Sequence, residues 1–188
     1  YTQMPNLIFD VPVYNEVDSL RELQREFDEV AQANDYALDV VFVDDGSNDG
    51  SWELIEKLAQ EDPRVQGIRF RRNFGKAAAL SAGFKAAKGK IVLTLDADLQ
   101  DDINVIETML DKFCEGHEVV YGVRDDRSSD SFAKRSTAEI YYKVLAAMGV
   151  EVVFNHADFR LLSKRALNAL KQYDEVNLFL RGIVPTLG

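Results

Sequence analysis

The strongest constraint on this chain is a rhythm. Five short runs rich in Val, Ile, Leu and Phe, at Leu7–Val13, Leu38–Val43, Val65–Phe70, Ile91–Leu95 and Glu118–Tyr121, start 31, 27, 26 and 27 residues apart. A strand, a crossover helix and a return need about 30 residues, so each interval holds one βαβ unit. The intervening segments carry apolar residues at helical spacing. Leu20, Leu23, Phe27 and Val30 follow Asp18 and Ser19 as candidate caps, Trp52, Ile55 and Leu58 follow Ser51, and Ile106, Met109, Leu110 and Phe113 follow Asp101-Asp102. Ala77–Ala87 is an Ala-rich stretch ending near Gly89. The strands are almost continuously apolar, as expected when helices cover both faces of a mostly parallel sheet. The fold class expected is therefore α/β, Rossmann-like. After Tyr121 the pattern changes. Residues 122–131 read as a polar loop, Phe132–Met148 as a longer helix, Glu151–Leu162 as one or two short strands and Lys164–Leu170 as a helix.

Composition narrows the functional classes. With 22 Lys and Arg against 32 Asp and Glu the formal charge is −10, which opposes a general nucleic-acid binder, since such proteins need a cationic face to displace phosphate counterions. Cys114 is the single cysteine, so no intrachain disulfide or cysteine-based zinc cluster forms and nothing marks the chain as secreted. No stretch approaches the ~20 apolar residues of a membrane span. At 188 residues the chain is read as one domain over 1–188, soluble as it stands. Tyr1–Gln3 ahead of the first methionine read as a processed or engineered end, and the chain is expected to be cut from something longer.

In open α/β sheets ligands bind beyond the carboxyl ends of the strands, and those ends are polar here. The first run exits into Pro12-Val13-Tyr14-Asn15-Glu16, the second into Asp44-Asp45-Gly46-Ser47, the third into Arg71-Arg72-Asn73-Phe74-Gly75-Lys76 and the fourth into Asp96-Ala97-Asp98-Leu99-Gln100-Asp101. Asp96 and Asp98, two residues apart at a strand end, can share a hard divalent cation such as Mg²⁺ or Mn²⁺ whose remaining positions a diphosphate would fill. Taken alone, such a pair also suits a solvated helix start. The Asp44–Gly50 segment serves equally as a turn before a helix capped by Ser51, and a carboxylate there can accept a hydrogen from a base. The basic segment from Arg71 to Lys76 suits phosphate or ribose contact. His117 and His156 lack metal-ligand spacing, and His117 reads as exposed. No Gly-x-Gly-x-x-Gly loop, Walker loop or Gly-x-Ser-x-Gly elbow is present.

Six motifs occur in order: Val11-Pro12-Val13-Tyr14-Asn15-Glu16, Val43-Asp44-Asp45-Gly46-Ser47-x-Asp49, Arg72-Asn73-Phe74-Gly75-Lys76-x-Ala78-Ala79-Leu80, Asp96-Ala97-Asp98-Leu99-Gln100-Asp101, Val120-Tyr121-Gly122-x-Arg124 and Asp158-Phe159-Arg160-Leu161. Through them the chain resembles the inverting family 2 glycosyltransferases of GT-A fold. Within these it is similar to the polyisoprenyl-phosphate glycosyltransferases related to dolichol-phosphate mannose synthase. The resemblance implies that Pro12, Tyr14, Glu16 and Asp44 hold a nucleotide base, with Asp45 near the ribose and Asn73 and Lys76 on the nucleotide as well. It implies that Asp96, Asp98 and Gln100 bind the metal and diphosphate. The Arg-Asn-Phe-Gly-Lys form of the third motif looks like the bacterial undecaprenyl-phosphate branch, which makes a UDP-sugar the first donor expected and GDP-mannose the second. Relatives usually carry Gly before Asp-Phe-Arg, where Ala157 stands here.

Such enzymes often continue into amphipathic or transmembrane helices after the segment matched by Arg181–Gly188. The expected setting is thus the cytoplasmic face of a membrane, with a lipid-phosphate acceptor. Arg124, Arg127, Lys134 and Arg135 form a basic stretch expected to grip that phosphate, or else to pair with Asp125, Asp126 and Asp130. Asp158, with Arg160, is expected to close over the sugar, as a base, as an orienting group, or in a structural salt bridge. Two other readings stay open: a family 2 transferase with a hydroxyl acceptor, which would need a general base, and a non-catalytic nucleotide-sugar-binding module.

Overall fold

The computed structural model describes residues 6–34, 36–87, 91–123 and 156–170. Its elements run β1 (Asn6–Val13), α1 (Leu20–Asn34), β2 (Ala37–Asp44), α2 (Ser51–Glu61), β3 (Val65–Arg69), α3 (Lys76–Ala86), β4 (Ile91–Thr94), a 3₁₀ turn (Ile103–Val105), α4 (Ile106–Cys114), β5 (Val119–Val123), β6 (His156–Ser163) and α5 (Lys164–Leu170). All four βα intervals read from the sequence are present. The expected helix at Phe132–Met148 lies outside the described residues.

The six strands form one sheet in the order β3-β2-β1-β4-β6-β5. β1 pairs in parallel with β2 and with β4, and β2 with β3. β6 is antiparallel to both neighbours, slotted between β4 and β5. The sequence placed a strand in this region but not its insertion, because the apolar pattern of a strand does not encode which neighbour it joins.

Alternation along β1 builds two cores. Leu7, Phe9, Val11 and Val13 face the layer carrying α1, α2 and α4, where Phe9 stacks on Phe27 with ring centroids 4.3 Å apart. Ile8 faces the other layer, with Leu80 and Phe84 of α3 and Ala166 and Leu167 of α5. This explains why β1 reads as unbroken apolar sequence: both of its faces are covered.

One residue breaks that pattern. Asp10 is fully buried in β1, and among the described residues neither of its carboxylate oxygens meets a hydrogen-bond donor. Burial alone holds its carboxyl well above the usual range, so it is carried as the neutral acid. The space it occupies exists because α3 has Gly83 opposite; a Cβ there would lie 1.9 Å from an Asp10 oxygen. In register with it, Thr94, Arg160 and Tyr121 continue a polar row across β4, β6 and β5 on the same face. Arg160 and Thr94 are fully buried, and burial of the Tyr121 hydroxyl pushes it up to about 12 against the opposing field of Arg160.

The linkage has a definite sign. Above about pH 4 the unfolded chain releases the Asp10 proton while the folded chain retains it. Stability is therefore lost as pH rises, until the raised folded pKa is passed. Asp10→Val should raise stability by about 1–3 kcal/mol and flatten this slope in urea titrations at pH 5 and pH 8. Gly83→Ala should destabilise the native chain, and distinctly less in an Asp10→Ala background, as a double-mutant cycle would measure.

Candidate active site

Because β1, β2, β3 and β4 are parallel, their carboxyl ends open on one edge of the sheet, and the segments leaving them are bonded to each other. Segments one and two interlock most heavily. The backbone N–H groups of Asn15, Glu16 and Val17 donate to Ser47 Oγ (2.9 Å), Ser51 Oγ (3.0 Å) and Asp49 Oδ2 (3.1 Å), and Asn48 N–H donates back to Asn15 Oδ1 (3.0 Å). Segments two and three are joined by Asp45, whose two oxygens accept the N–H groups of Phe74 (2.7 Å) and Gly75 (3.1 Å). Gly46, at φ +77°, lets this contact close, since a Cβ would lie 2.5 Å from the Arg72 carbonyl carbon. Segments three and four meet through the ion pair of Lys76 with Asp96. Segments four and one meet where Ser19 Oγ donates to the Ala97 carbonyl at 2.5 Å. The ring is closed.

Two helix starts differ from expectation for this reason. Ser51 does not cap α2. Gly50 takes the cap position in the left-handed region, while Ser51 Oγ donates to Asp49 Oδ1 at 2.6 Å and receives Glu16. Ser19 accepts Leu23 N–H through its carbonyl, as a cap residue does, but its hydroxyl is spent on Ala97. Asp102 does accept from Asn104 N–H at the 3₁₀ turn, as acidic residues at a helix entry do.

Within the ring lies a cavity of about 240 Å³ lined by Pro12, Val13, Tyr14, Glu16, Asp45, Lys76, Asp96, Ala97 and Asp98. Seven of these are site residues expected from the sequence; Val13 and Ala97, motif residues given no role there, complete its walls. Its carboxylates interact. Burial raises the Glu16 pKa first, Asp98 raises it further, the Ser19 hydroxyl opposes, and Asp49 and Asp96 add to the rise. Asp49 goes the other way: partial burial is outweighed by hydrogen bonds from the Ser51 side chain and the Val17 and Ser51 backbone. Asp98 Oδ1 accepts the Gln100 N–H at 3.2 Å across Leu99, which is held at φ +61° and exposed. A non-glycine side chain in that region is uncommon and carries strain of order 1 kcal/mol.

The other named residues sit elsewhere. Asp44 is fully buried; one oxygen accepts Ser47 N–H at 3.3 Å and the other meets no donor among the described residues. Asn73 is exposed and its side-chain oxygen accepts Gly75 N–H. Gln100 is exposed beside the cavity. Arg160 is buried beneath it, level with the last residue of β4. Asp158 belongs to β6 by its backbone. Arg124, Arg127, Lys134 and Arg135 lie outside the described residues. Arg71 and Arg72 are exposed and do not line the cavity. His117 is exposed, as its sequence suggested.

The family model described as glycosyl transferase family 2 matches residues 10–171. The chain belongs to that family. It is 43% identical over 194 residues to the uncharacterized glycosyltransferase YkoT of Bacillus subtilis (strain 168), covering 98% of this chain and 57% of that protein. It is 38% identical over 179 residues to the bactoprenol glucosyl transferase of Shigella phage SfV, covering 95% of this chain and 58% of that protein. This chain thus spans a little over half the length of the curated relatives it matches. Among solved structures, the mannosyltransferase PcManGT from Pyrobaculum calidifontis, in complex with GDP-Man and Mn²⁺, superposes with a TM-score of 0.65 at 23% identity, over 90% of this chain and 47% of that one. The fold is accordingly GT-A.

Asp45 is the joint between segments two and three, so its loss should be felt in both stability and binding. Asp45→Ala removes the acceptor of the Phe74 N–H and leaves the Gly75 N–H to Asn73 Oδ1 alone, which should cost about 1–3 kcal/mol. Hydrogen exchange at the Phe74 amide should accelerate, and more than at Gly75, which keeps Asn73 Oδ1.

Proposed function

We propose that this chain is the catalytic domain of a metal-dependent, inverting glycosyltransferase that moves a sugar from a nucleotide-diphosphate sugar, a UDP-sugar first and GDP-mannose second, to a polyisoprenyl phosphate at the cytoplasmic face of a membrane. On this reading residues 1–188 form one domain that precedes membrane-associated helices. The observation that carries it is the convergence of Tyr14, Glu16, Asp45, Lys76, Asp96 and Asp98 on a single cavity. The name of the bactoprenol relative supports the lipid-phosphate acceptor, and the neighbour holding GDP-Man and Mn²⁺ supports the donor class and the metal.

The residues fit a divalent cation. Among the described residues no three acidic, histidine or cysteine side chains form a ready-made cage, but magnesium normally takes one or two carboxylates and completes its shell with phosphates and water. Asp96 and Asp98 offer that pair, and the upward push that Asp98 and Asp96 exert on Glu16 marks negative charge that a cation would relieve. Asp96, Asp98 and Gln100 are the residues we assign to it; when bound, Mg²⁺ or Mn²⁺ would supply charge neutralisation at the leaving diphosphate.

The chain's own groups would do the rest. Tyr14 and Pro12 flank the base, and the open oxygen of Asp44 is the acceptor that a base N–H would satisfy. Asp45 stands near the ribose. Asn73 contacts the nucleotide, and Lys76 would shift part of its charge from Asp96 to the diphosphate. An oxygen of the acceptor phosphate attacks the anomeric carbon while the bond from that carbon to the diphosphate oxygen breaks, releasing the nucleoside diphosphate. The second ionisation of a phosphate monoester lies near ~6, so at neutral pH the nucleophile is already anionic and no residue has to remove a proton. In this scheme Asp158 orients the sugar hydroxyls, Arg160 supports it from below, and Arg124, Arg127 and Arg135 hold the acceptor phosphate.

Asp98→Asn should reduce turnover ~10²–10³-fold, the scale of losing one transition-state charge contact, and should abolish the gain in nucleotide affinity on adding Mn²⁺. A thermal-shift panel of UDP, GDP, CDP and TDP with and without Mn²⁺ reads this directly. Activity undiminished by EDTA would refute the metal assignment. With a lipid-phosphate acceptor, the residual rate of Asp158→Asn should still rise through about pH 6 with acceptor ionisation. Activity restored to that variant only by a more acidic hydroxyl acceptor would favour base catalysis instead.

A further inference from the structure

Most exposed cations on the described surface hold a carboxylate, among them Arg25 with Glu22 and Glu29, Arg64 with Asp28 and Asp62, and Lys112 with Glu115. Arg69, Arg71 and Arg72 are different. All three are exposed and none pairs with an acid among the described residues; Arg69 lies over the Trp52 ring at 5.6 Å and Arg72 over Phe74 at 4.7 Å. The carboxylates of the neighbouring segment do not reach them. Asp45 is committed to the Phe74 and Gly75 backbone, and Asp49 to Val17 and Ser51. In a chain of net charge −10, three uncompensated guanidinium groups within four residues form a local cationic spot.

Their position matters as much as their charge. Arg69 ends β3, and Arg71 and Arg72 follow it, on the outer edge strand and at the same sheet edge as the cavity. A second hollow of about 400 Å³, lined by Gly46, Ser47, Arg69, Phe70 and Arg71, opens among them. The large apolar side chains exposed among the described residues, Tyr14 at 49%, Phe74 at 40% and Leu99 at 37%, follow β1, β3 and β4 and so rim this edge too. The other unpaired cations of the described surface, Lys85 and Lys164, lie at the opposite end, because α3 runs back from this edge and β6 is antiparallel.

We propose that Arg69, Arg71, Arg72 and Phe74 form a docking surface for an anionic lipid bilayer, which sets the mouth of the cavity against the membrane. Guanidinium groups bind headgroup phosphates in bidentate fashion, and apolar side chains such as phenylalanine bury at the headgroup–acyl boundary beside basic residues in interfacial segments. Among the described residues this edge carries the densest cluster of unpaired cations, while the acidic side chains elsewhere are repelled by the same bilayer, so the cluster orients the molecule. That the bilayer also carries the acceptor rests on the function proposed above; the docking surface itself rests on the unpaired arginines.

The test is flotation of the 188-residue chain with phosphatidylcholine vesicles containing or lacking phosphatidylglycerol. Binding should require phosphatidylglycerol and fall steeply with added salt. Arg71→Gln with Arg72→Gln should lower partitioning about 30-fold, from the loss of two surface-facing charges. Phe74→Ser should weaken binding with the salt dependence retained. Nucleotide-induced thermal shifts of the arginine double variant should match those of the native chain. Equal vesicle binding by native and double-variant chains would overturn the proposal, as would native binding indifferent to phosphatidylglycerol. Two other results would also overturn it: a loss of nucleotide affinity in the double variant, which would assign the arginines to the donor, or self-association of the native chain that the double substitution abolishes. Transfer to lipid phosphate in detergent, measured separately, reports on the function and not on the surface.

Discussion

Parallel pairing of β1 with β2 on one side and β4 on the other is the constraint on which the rest of this molecule depends. It brings three chain exits side by side at one edge, with the exit of β3 next in line. Exits of a parallel sheet have backbone groups with no ladder partner, and these must be satisfied by something else. Here each segment satisfies its neighbour: serine and aspartate side chains from one take the N–H groups of the next, and Asp45, Lys76 and Ser19 close the circuit. The polar residues that look like a ligand set in the sequence are thus also the mortar of the edge. A loop edge bonded in this way holds its cavity open with little ordering left to perform when a ligand arrives, which is how pre-organisation raises affinity.

The cost of that arrangement is local and visible. Glu16, Asp96 and Asp98 line one small cavity, where burial first and then the two aspartates raise the Glu16 pKa, and Leu99 occupies a backbone region that favours glycine. Neither feature helps the fold. Both sit at the residues through which the proposed metal and diphosphate would be held, where strain and unrelieved charge become useful once a cation and an anion arrive together. The buried polar row beneath, from Asp10 through Thr94 and Arg160 to Tyr121, lies one layer below the same edge. Asp10 is the anomalous member, a neutral acid kept in an apolar layer by the missing Cβ of Gly83.

Much of this was readable in the chain itself. The spacing of five apolar runs determines four βα intervals, because a crossover of given length must span a sheet whose strand spacing is fixed, and the double-sided apolar content of β1 determines that helices cover both faces. The acidic and amide residues just past the strands mark the edge where the candidate site residues gather around one cavity, and six ordered motifs determine the family. These are properties of local periodicity and of residue type, which a sequence states directly.

What only the tertiary structure decided are the relations between residues distant in sequence. Ser19 and Ala97 are 78 positions apart, and nothing in either segment announces their hydrogen bond. Ser51, with the composition of a helix cap, is diverted because Glu16 and Asp49 reach it first. The antiparallel entry of β6 between β4 and β5 follows from competition among possible edges, and it sends Arg160 into the interior instead of the cavity wall. That Arg69, Arg71 and Arg72 meet no carboxylate among the described residues is likewise invisible in a sequence where acids outnumber bases, since pairing depends on which carboxylates come within reach. Hydrogen bonds and ion pairs act over a few ångströms, and only the folded chain sets those distances.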